Sequence, residues 1–141
     1  RRWASAGSGQ LISHSDKPKS EHLEQAELVR DFRRAFPGVL IFAIPNGGWR
    51  TKTTALKLRV EGCVAGIPDL FIPAWNLWIE MKRAKGGTVS KEQKEQMAYL
   101  QSVGHSTIVG RGRDDAWLKI QEFIKNRPPT AAGKLTPEQT A

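Results

Sequence analysis

Residues 66–82 read Gly-Ile-Pro-Asp-Leu-Phe-Ile-Pro-Ala-Trp-Asn-Leu-Trp-Ile-Glu-Met-Lys. The middle of this stretch is apolar, β-branched or aromatic, and it is broken by Pro73 and by Trp75-Asn76. The pattern predicts a hairpin of two buried strands, roughly 69–72 and 77–82. Side chains alternate between faces along a strand, so Glu80 and Lys82 share one face while Ile79 and Met81 point to the other. Asp69 stands at the start of the first strand. Charges in so apolar a hairpin cost several kcal/mol each unless they are paired or bind a metal.

Two carboxylates on adjacent strands, with a lysine beside one of them, suit a hard divalent cation. Magnesium takes one or two carboxylates and completes its octahedron with water and phosphate oxygens. Such an ion lowers the pKa of bound water and neutralises phosphate charge, and a lysine there can orient the nucleophile. A lone Glu-x-Lys is better read as a structural ion pair. Pro68-Asp69 in the preceding strand makes the metal site the stronger reading.

Pro68-Asp69 followed by Glu80-Met81-Lys82 resembles the PD-(D/E)XK nuclease superfamily. The flanking residues narrow the likeness: Ile44-Pro45-Asn46-Gly47-Gly48, Arg50, Ala65 to Phe71, Ile79 to Lys82, Gly86-Gly87, then Ser90 and Gln93. In that order and spacing they resemble the virus-type replication-repair nuclease (VRR-Nuc) family, over residues 20–125. The resemblance implies an α/β fold with a restriction-endonuclease-like core, a central mixed four-stranded sheet flanked by helices (α-β-(α)-β-β-α-β-α). It implies a divalent-metal-dependent endodeoxyribonuclease using Mg2+ or Mn2+. Asp69, Glu80, the Met81 carbonyl and Glu21 would be the metal ligands, with Lys82 and Gln93 completing the catalytic set. Stand-alone members of the family tend to be homodimers acting on branched DNA such as four-way junctions, in bacterial or phage-infected cytoplasm.

Composition agrees with a polyanionic partner. The 141 residues suit one domain, and 39% of them are hydrophobic, enough for one modest core. The net charge is +8 and the pI about 10.0, which points to nucleic acid. The single cysteine, Cys63, excludes an intrachain disulfide and a multi-cysteine zinc site, and fits a reducing compartment. No run approaches the roughly 20 apolar residues of a membrane span. The N-terminal residues show no signal-type apolar core. No P-loop is present, so no nucleotide cofactor is expected.

The chain in order predicts an N-terminal tail at 1–19, a nuclease-type domain at 20–126 and a disordered C-terminal tail at 127–141. Ser20 caps a helix from about Glu21 to Ala35. Glu21, Gln25, Leu28 and Phe32 project to one face, so Glu21 and Gln25 are expected to face the site, with Glu24 and Glu27 as alternative carboxylates. Val39 to Ile44 reads as a strand. Asn46 and Arg50, in and after a Gly-rich turn, are candidate DNA contacts, and 51–61 reads as a short basic helix. Arg83 and Lys85 follow the hairpin and suit a DNA strand, as do Ser90 and Lys91. Ser90 and Gln93 form a capping box, yet Gln93 shares its face with Met97 and Leu100 and so also looks inward. Ser106 to Val109 is expected to pair parallel to 77–82, and Asp114 or Asp115 to cap a last helix. His105 reads as a loop residue rather than a base. Trp3, Trp49 and Trp75 fall in expected tails or loops, where tryptophan suits an interface or a splayed base. The competing reading is a non-catalytic basic DNA-binding module with a structural acidic cluster.

Overall fold

The computed structural model describes residues 17–45 and 51–127. The elements are helix α1 (Glu21–Ala35), strand β1 (Phe42–Ala43), helix α2 (Lys52–Val60), strand β2 (Leu70–Ile72), a single 3₁₀ turn (Pro73–Trp75), strand β3 (Leu77–Lys82), helix α3 (Lys91–Ser102), strand β4 (Ser106–Arg111) and helix α4 (Arg113–Lys125). The four strands form one mixed sheet in the order β1-β2-β3-β4.

The hairpin predicted at 66–82 is its centre. Pro73 starts the 3₁₀ turn, and Asn76 closes it in the left-handed region at φ 47°, a conformation that asparagine tolerates better than most residues. Leu70 then pairs with Ile79 and Ile72 with Leu77, antiparallel. β4 lies parallel to β3 along its whole length, from Leu77 opposite Ser106 to Lys82 opposite Arg111. It runs two residues beyond the predicted Val109 because the pairing continues through Gly110. A Cβ at Gly110 would stand 2.4 Å from that of Ala116, so the glycine lets α4 sit directly on β4.

Strand alternation divides the sheet as the sequence predicts. Leu77, Ile79 and Met81 are fully buried with Leu28 and Phe32 of α1 and Ala116 and Ile120 of α4. The opposite face carries Trp78, Glu80 and Lys82. α3 reaches that face: Gln93 bonds Glu80, and Gln101 donates to Thr107 of β4.

Three expectations are corrected. The strand expected at Val39–Ile44 is only Phe42–Ala43, since the Ile41 carbonyl accepts from the Arg33 guanidinium instead of continuing the ladder to Ile72; on the other side a single bond from Ile44 N–H to the Asp69 carbonyl continues the contact. Neither Asp114 nor Asp115 caps α4. Its N-cap is Gly112, with no capping side chain of its own, and Asp115 instead accepts the Arg111 N–H and pairs with Lys119. Trp75 is not a surface residue. It is buried at 5% exposure among Phe32, Phe36 and Phe123, where its large apolar area belongs. Trp3 and Trp49 lie outside the described residues, as do the tail positions 1–16 and 128–141. Among the described residues no helix is long and apolar enough to cross a membrane.

Candidate active site

A cleft of about 280 Å³ opens where α1, the loop before β2, β3 and the first turn of α3 meet, and Glu21, Gly66, Asp69, Glu80, Ser90 and Gln93 help to line it. Each polar group arrives there for a local reason. Asp69 immediately precedes β2, and its Oδ2 accepts the Met81 N–H at 2.7 Å, closing the open end of the β2–β3 ladder. Glu80 and Lys82 project from the same face of β3, and Lys82 Nζ lies 2.9 Å from Glu80 Oε1. Glu21 is the first residue of α1, held by the Ser20 cap whose hydroxyl accepts the Leu23 N–H.

Gln93 performs both roles that its position suggests. Its side-chain oxygen accepts the Ser90 N–H at 2.9 Å, completing the capping box with Ser90 Oγ. Its side-chain nitrogen donates to Glu80 Oε1 at 2.6 Å. Gly66 makes the packing possible. It sits at φ +86°, and a Cβ there would lie 2.5 Å from the Glu92 carbonyl carbon and 2.8 Å from the Gln93 nitrogen. The loop therefore presses directly on the turn that holds Gln93.

The electrostatics of Glu80 are unusual. The residue is 1% exposed. Oε1 takes both donors, while Oε2 is buried without a hydrogen-bond partner among the described residues. Burial pushes its carboxyl up to about 7; the Lys82 hydrogen bond opposes the rise, and the charges of Asp69 and Glu21 add to it. Burial also raises Asp69, only partly offset by the Met81 N–H bond. These are groups whose ionised forms lack a counter-charge of sufficient strength. Among the described residues no three Asp, Glu, His or Cys side chains converge into a ready-made metal cage. A hard cation that keeps several waters needs no such cage. An oxygen-only donor set and a buried carboxylate oxygen with no hydrogen-bond partner among the described residues fit that kind of ion.

The other residues read from the sequence fall as follows. Glu24, not Gln25, continues the buried stripe of Leu28 and Phe32. Its Oε2 accepts the Arg113 N–H at 2.7 Å, which caps α4 from another helix. Glu27 pairs with Lys19 at 2.7 Å. Of these three glutamates of α1, Glu21 alone lines the cleft. Gln25 does not line it: one residue further round the helix, it borders a separate groove with His22, Val29 and Arg33. Ser90 lines the cleft, but its hydroxyl is held in the cap. Lys91 is an exposed side chain 3.8 Å from Glu95. Arg83 and Lys85 are exposed just past β3. Asn46 and Arg50 lie outside the described residues. His105 accepts the Trp78 indole N–H at 3.1 Å, at the far end of β3 from Lys82. The Glu24 cap, which joins residues 89 apart, has no local signature in the sequence. The Gly66 contact had a signal in the glycine itself, before Pro68-Asp69.

No protein-family model matches the chain. No curated protein matches it. A solved structure described as a VRR_NUC domain protein is similar to it, with a TM-score of 0.67 and 27% sequence identity, covering 84% of this chain and 99% of that one.

Proposed function

We propose that this chain, which belongs to the VRR-Nuc family and has its nuclease-type fold, is a divalent-metal-dependent endodeoxyribonuclease. The observation that carries the proposal is the pairing of Asp69 and Glu80 on one cleft, with both carboxyls raised by burial and Glu80 Oε2 buried without a hydrogen-bond partner among the described residues. Leaving a carboxylate oxygen so costs several kcal/mol unless a ligand completes it.

Asp69 and Glu80 would hold the metal. The N–H and C=O of one strand residue point to the same edge. The Met81 carbonyl therefore faces the Asp69 edge with its N–H and is a third donor. Glu21 would complete the acidic set, directly or through water. When bound, magnesium or manganese supplies water activation at neutral pH and neutralises phosphate charge. Lys82 Nζ, fixed against Glu80, orients the attacking water and donates to the charge that develops on the phosphate. Gln93 holds Glu80 Oε1 through its side-chain nitrogen and so fixes the carboxylate in one orientation.

Manganese titration by calorimetry tests the site. Wild-type protein is expected to bind one ion, and Asp69→Asn or Glu80→Gln to weaken binding by at least tenfold. Equal binding by all three proteins would remove the metal assignment. Following the resemblance, the proposed substrate is branched DNA and the proposed working form a homodimer, since paired cuts need two sites and a two-fold dimer supplies them. Light scattering at micromolar concentration together with paired nicks on a four-way junction is the expected result. A monomer making unpaired nicks would defeat this part of the proposal. DNA binding without any metal-dependent cleavage would favour a non-catalytic binding module.

A further inference from the structure

A second cleft, of about 460 Å³, lies past the end of β3, bordered by Lys17 and Glu24 near the start of α1, by Lys85 and by Arg111 and Asp114 around the start of α4. It adjoins the catalytic strand. Lys82 pairs with Arg111 in the sheet, and the Lys82 carbonyl accepts the Gly112 N–H at 2.8 Å. Arg111 also donates to the Gly87 carbonyl. The Gly87 loop packs on Lys82 itself, since a Cβ on Gly87 would come within 2.9 Å of the Lys82 Cβ.

The charges in this cleft are unbalanced. Its two acids are already engaged: Glu24 accepts the Arg113 N–H, and Asp114 pairs with the Arg113 guanidinium at 3.0 Å. Arg113 is bound a second time by Asp31, at 2.7 Å. Lys17 and Lys85 form no ion pair with any described carboxylate, and Arg111 forms none either, although it lies in the field of Asp115. Three cations without a direct ion pair around one concavity focus a positive potential there. We infer that this cleft is a phosphate subsite, which seats the nucleic-acid backbone beyond the scissile position.

The reach is appropriate. Lys85 follows Lys82 by three residues through a turn, so the two lie at most about 10 Å apart along the chain. A strand of duplex DNA advances about 3.4 Å of axis per nucleotide. The cleft therefore takes a phosphate within about three nucleotides of the one at Lys82. The inference rests on the nuclease reading and adds to it a fixed register for the strand. Arg111, shared between the cleft and the loop over Lys82, ties the two positions together.

The test is equilibrium binding of a short single-stranded oligonucleotide in EDTA, where no cleavage contributes, over a series of salt concentrations. The Lys17→Ala/Lys85→Ala variant removes two exposed, unpaired cations and is expected to melt like wild type. Its affinity at low salt is expected to fall on the order of tenfold, and the slope of log affinity against log salt to shrink by about 1.4, two single-strand phosphate contacts. Arg34→Ala/Lys125→Ala removes the same charge at the far ends of α1 and α4, about 18 Å away along a 12-residue helical path, and is expected to change the slope much less. Oligonucleotides with a 5′-phosphate and a 5′-hydroxyl separate the sources: equal losses assign an internal phosphodiester, and a loss confined to the phosphorylated strand assigns a terminal phosphate. An unchanged slope in Lys17→Ala/Lys85→Ala, or an equal loss in the distal variant, overturns the subsite while leaving the nuclease reading intact. Failure of wild-type protein to bind DNA overturns both.

Discussion

Metal-free protein should lose stability as the pH rises towards neutrality, and Glu80 should be the cause. Its carboxyl is pushed from 4.5 up to about 7 by burial. The folded state therefore holds this proton more tightly than the unfolded chain does. For a carboxylate with a raised folded pKa, stability is greatest below the unfolded value, falls between the two values, and levels off above the folded one. A rise of about 2.5 units at 1.36 kcal/mol per unit gives a loss of about 3 kcal/mol between pH 4.5 and 7.5. Asp31 and Asp115 are held below the usual carboxylate range. They act the opposite way, but at pH values below about 4. Asp69 is raised by burial too and acts in the same direction as Glu80; Glu80→Gln removes the Glu80 titration, so the difference in unfolding free energy between wild type and variant reports Glu80 together with its coupling to Asp69. Urea unfolding in EDTA across this range should show wild type losing ground to Glu80→Gln by up to about 3 kcal/mol. For a domain near 100 residues that is roughly 10 °C or more in melting temperature. A difference that stays flat, or that moves in favour of wild type as pH rises, would refute the account of Glu80.

Three substitutions test the frame around it. Gly66→Ala should destabilise by about 2 kcal/mol or more in thermal unfolding, because it combines a positive φ with a Cβ driven into the backbone of α3; wild-type stability would contradict that packing. Gln93→Ala should cost about 1 kcal/mol through the lost cap and lower the cleavage rate roughly 10- to 100-fold through the freed carboxylate, and a normal rate would limit Gln93 to the cap. Glu21→Gln should impair cleavage, whereas Glu24→Gln should leave the rate per folded molecule within about threefold, since Glu24 is engaged at Arg113. The reverse result would move the site carboxylate to Glu24.

What the sequence made legible follows from where the physical signals are local. The ends of α1 and β3 agree with the structure because Ser20, Pro37-Gly38, Asn76 and the apolar alternation act within a few residues. The same holds for the capping box of α3 and the shared face of Glu80 and Lys82. The length of β1 was not legible, since its end is set by Arg33 of α1 reaching the Ile41 carbonyl across the fold. Nor was the cap on α4, supplied by a side chain from the opposite end of the chain. Projection of α1 placed Gln25 with Glu21, but the helix rotates about 100° per residue, and the packed row runs through Glu24. Trp75 beside Asn76 looks like loop in sequence, and only the meeting of Phe32, Phe36 and Phe123 makes it core. The partnerless oxygen of Glu80 depends on which donors reach Oε1, and no spacing rule reports that.

The most direct measurement is cleavage of DNA by purified wild-type, Glu80→Gln and Lys82→Ala proteins in magnesium and in excess EDTA, with binding followed in parallel in calcium. Glu80→Gln loses a carboxylate that would hold the metal, and Lys82→Ala loses the group that orients the nucleophile. Each should therefore lower the rate by at least 100-fold, about 2.7 kcal/mol of transition-state stabilisation, while DNA affinity stays close to wild type. Wild-type protein is expected to cut in magnesium and to stop in EDTA. Undiminished cutting in EDTA, or wild-type rates from either variant, would contradict the assignment of Asp69, Glu80 and Lys82 as the catalytic centre.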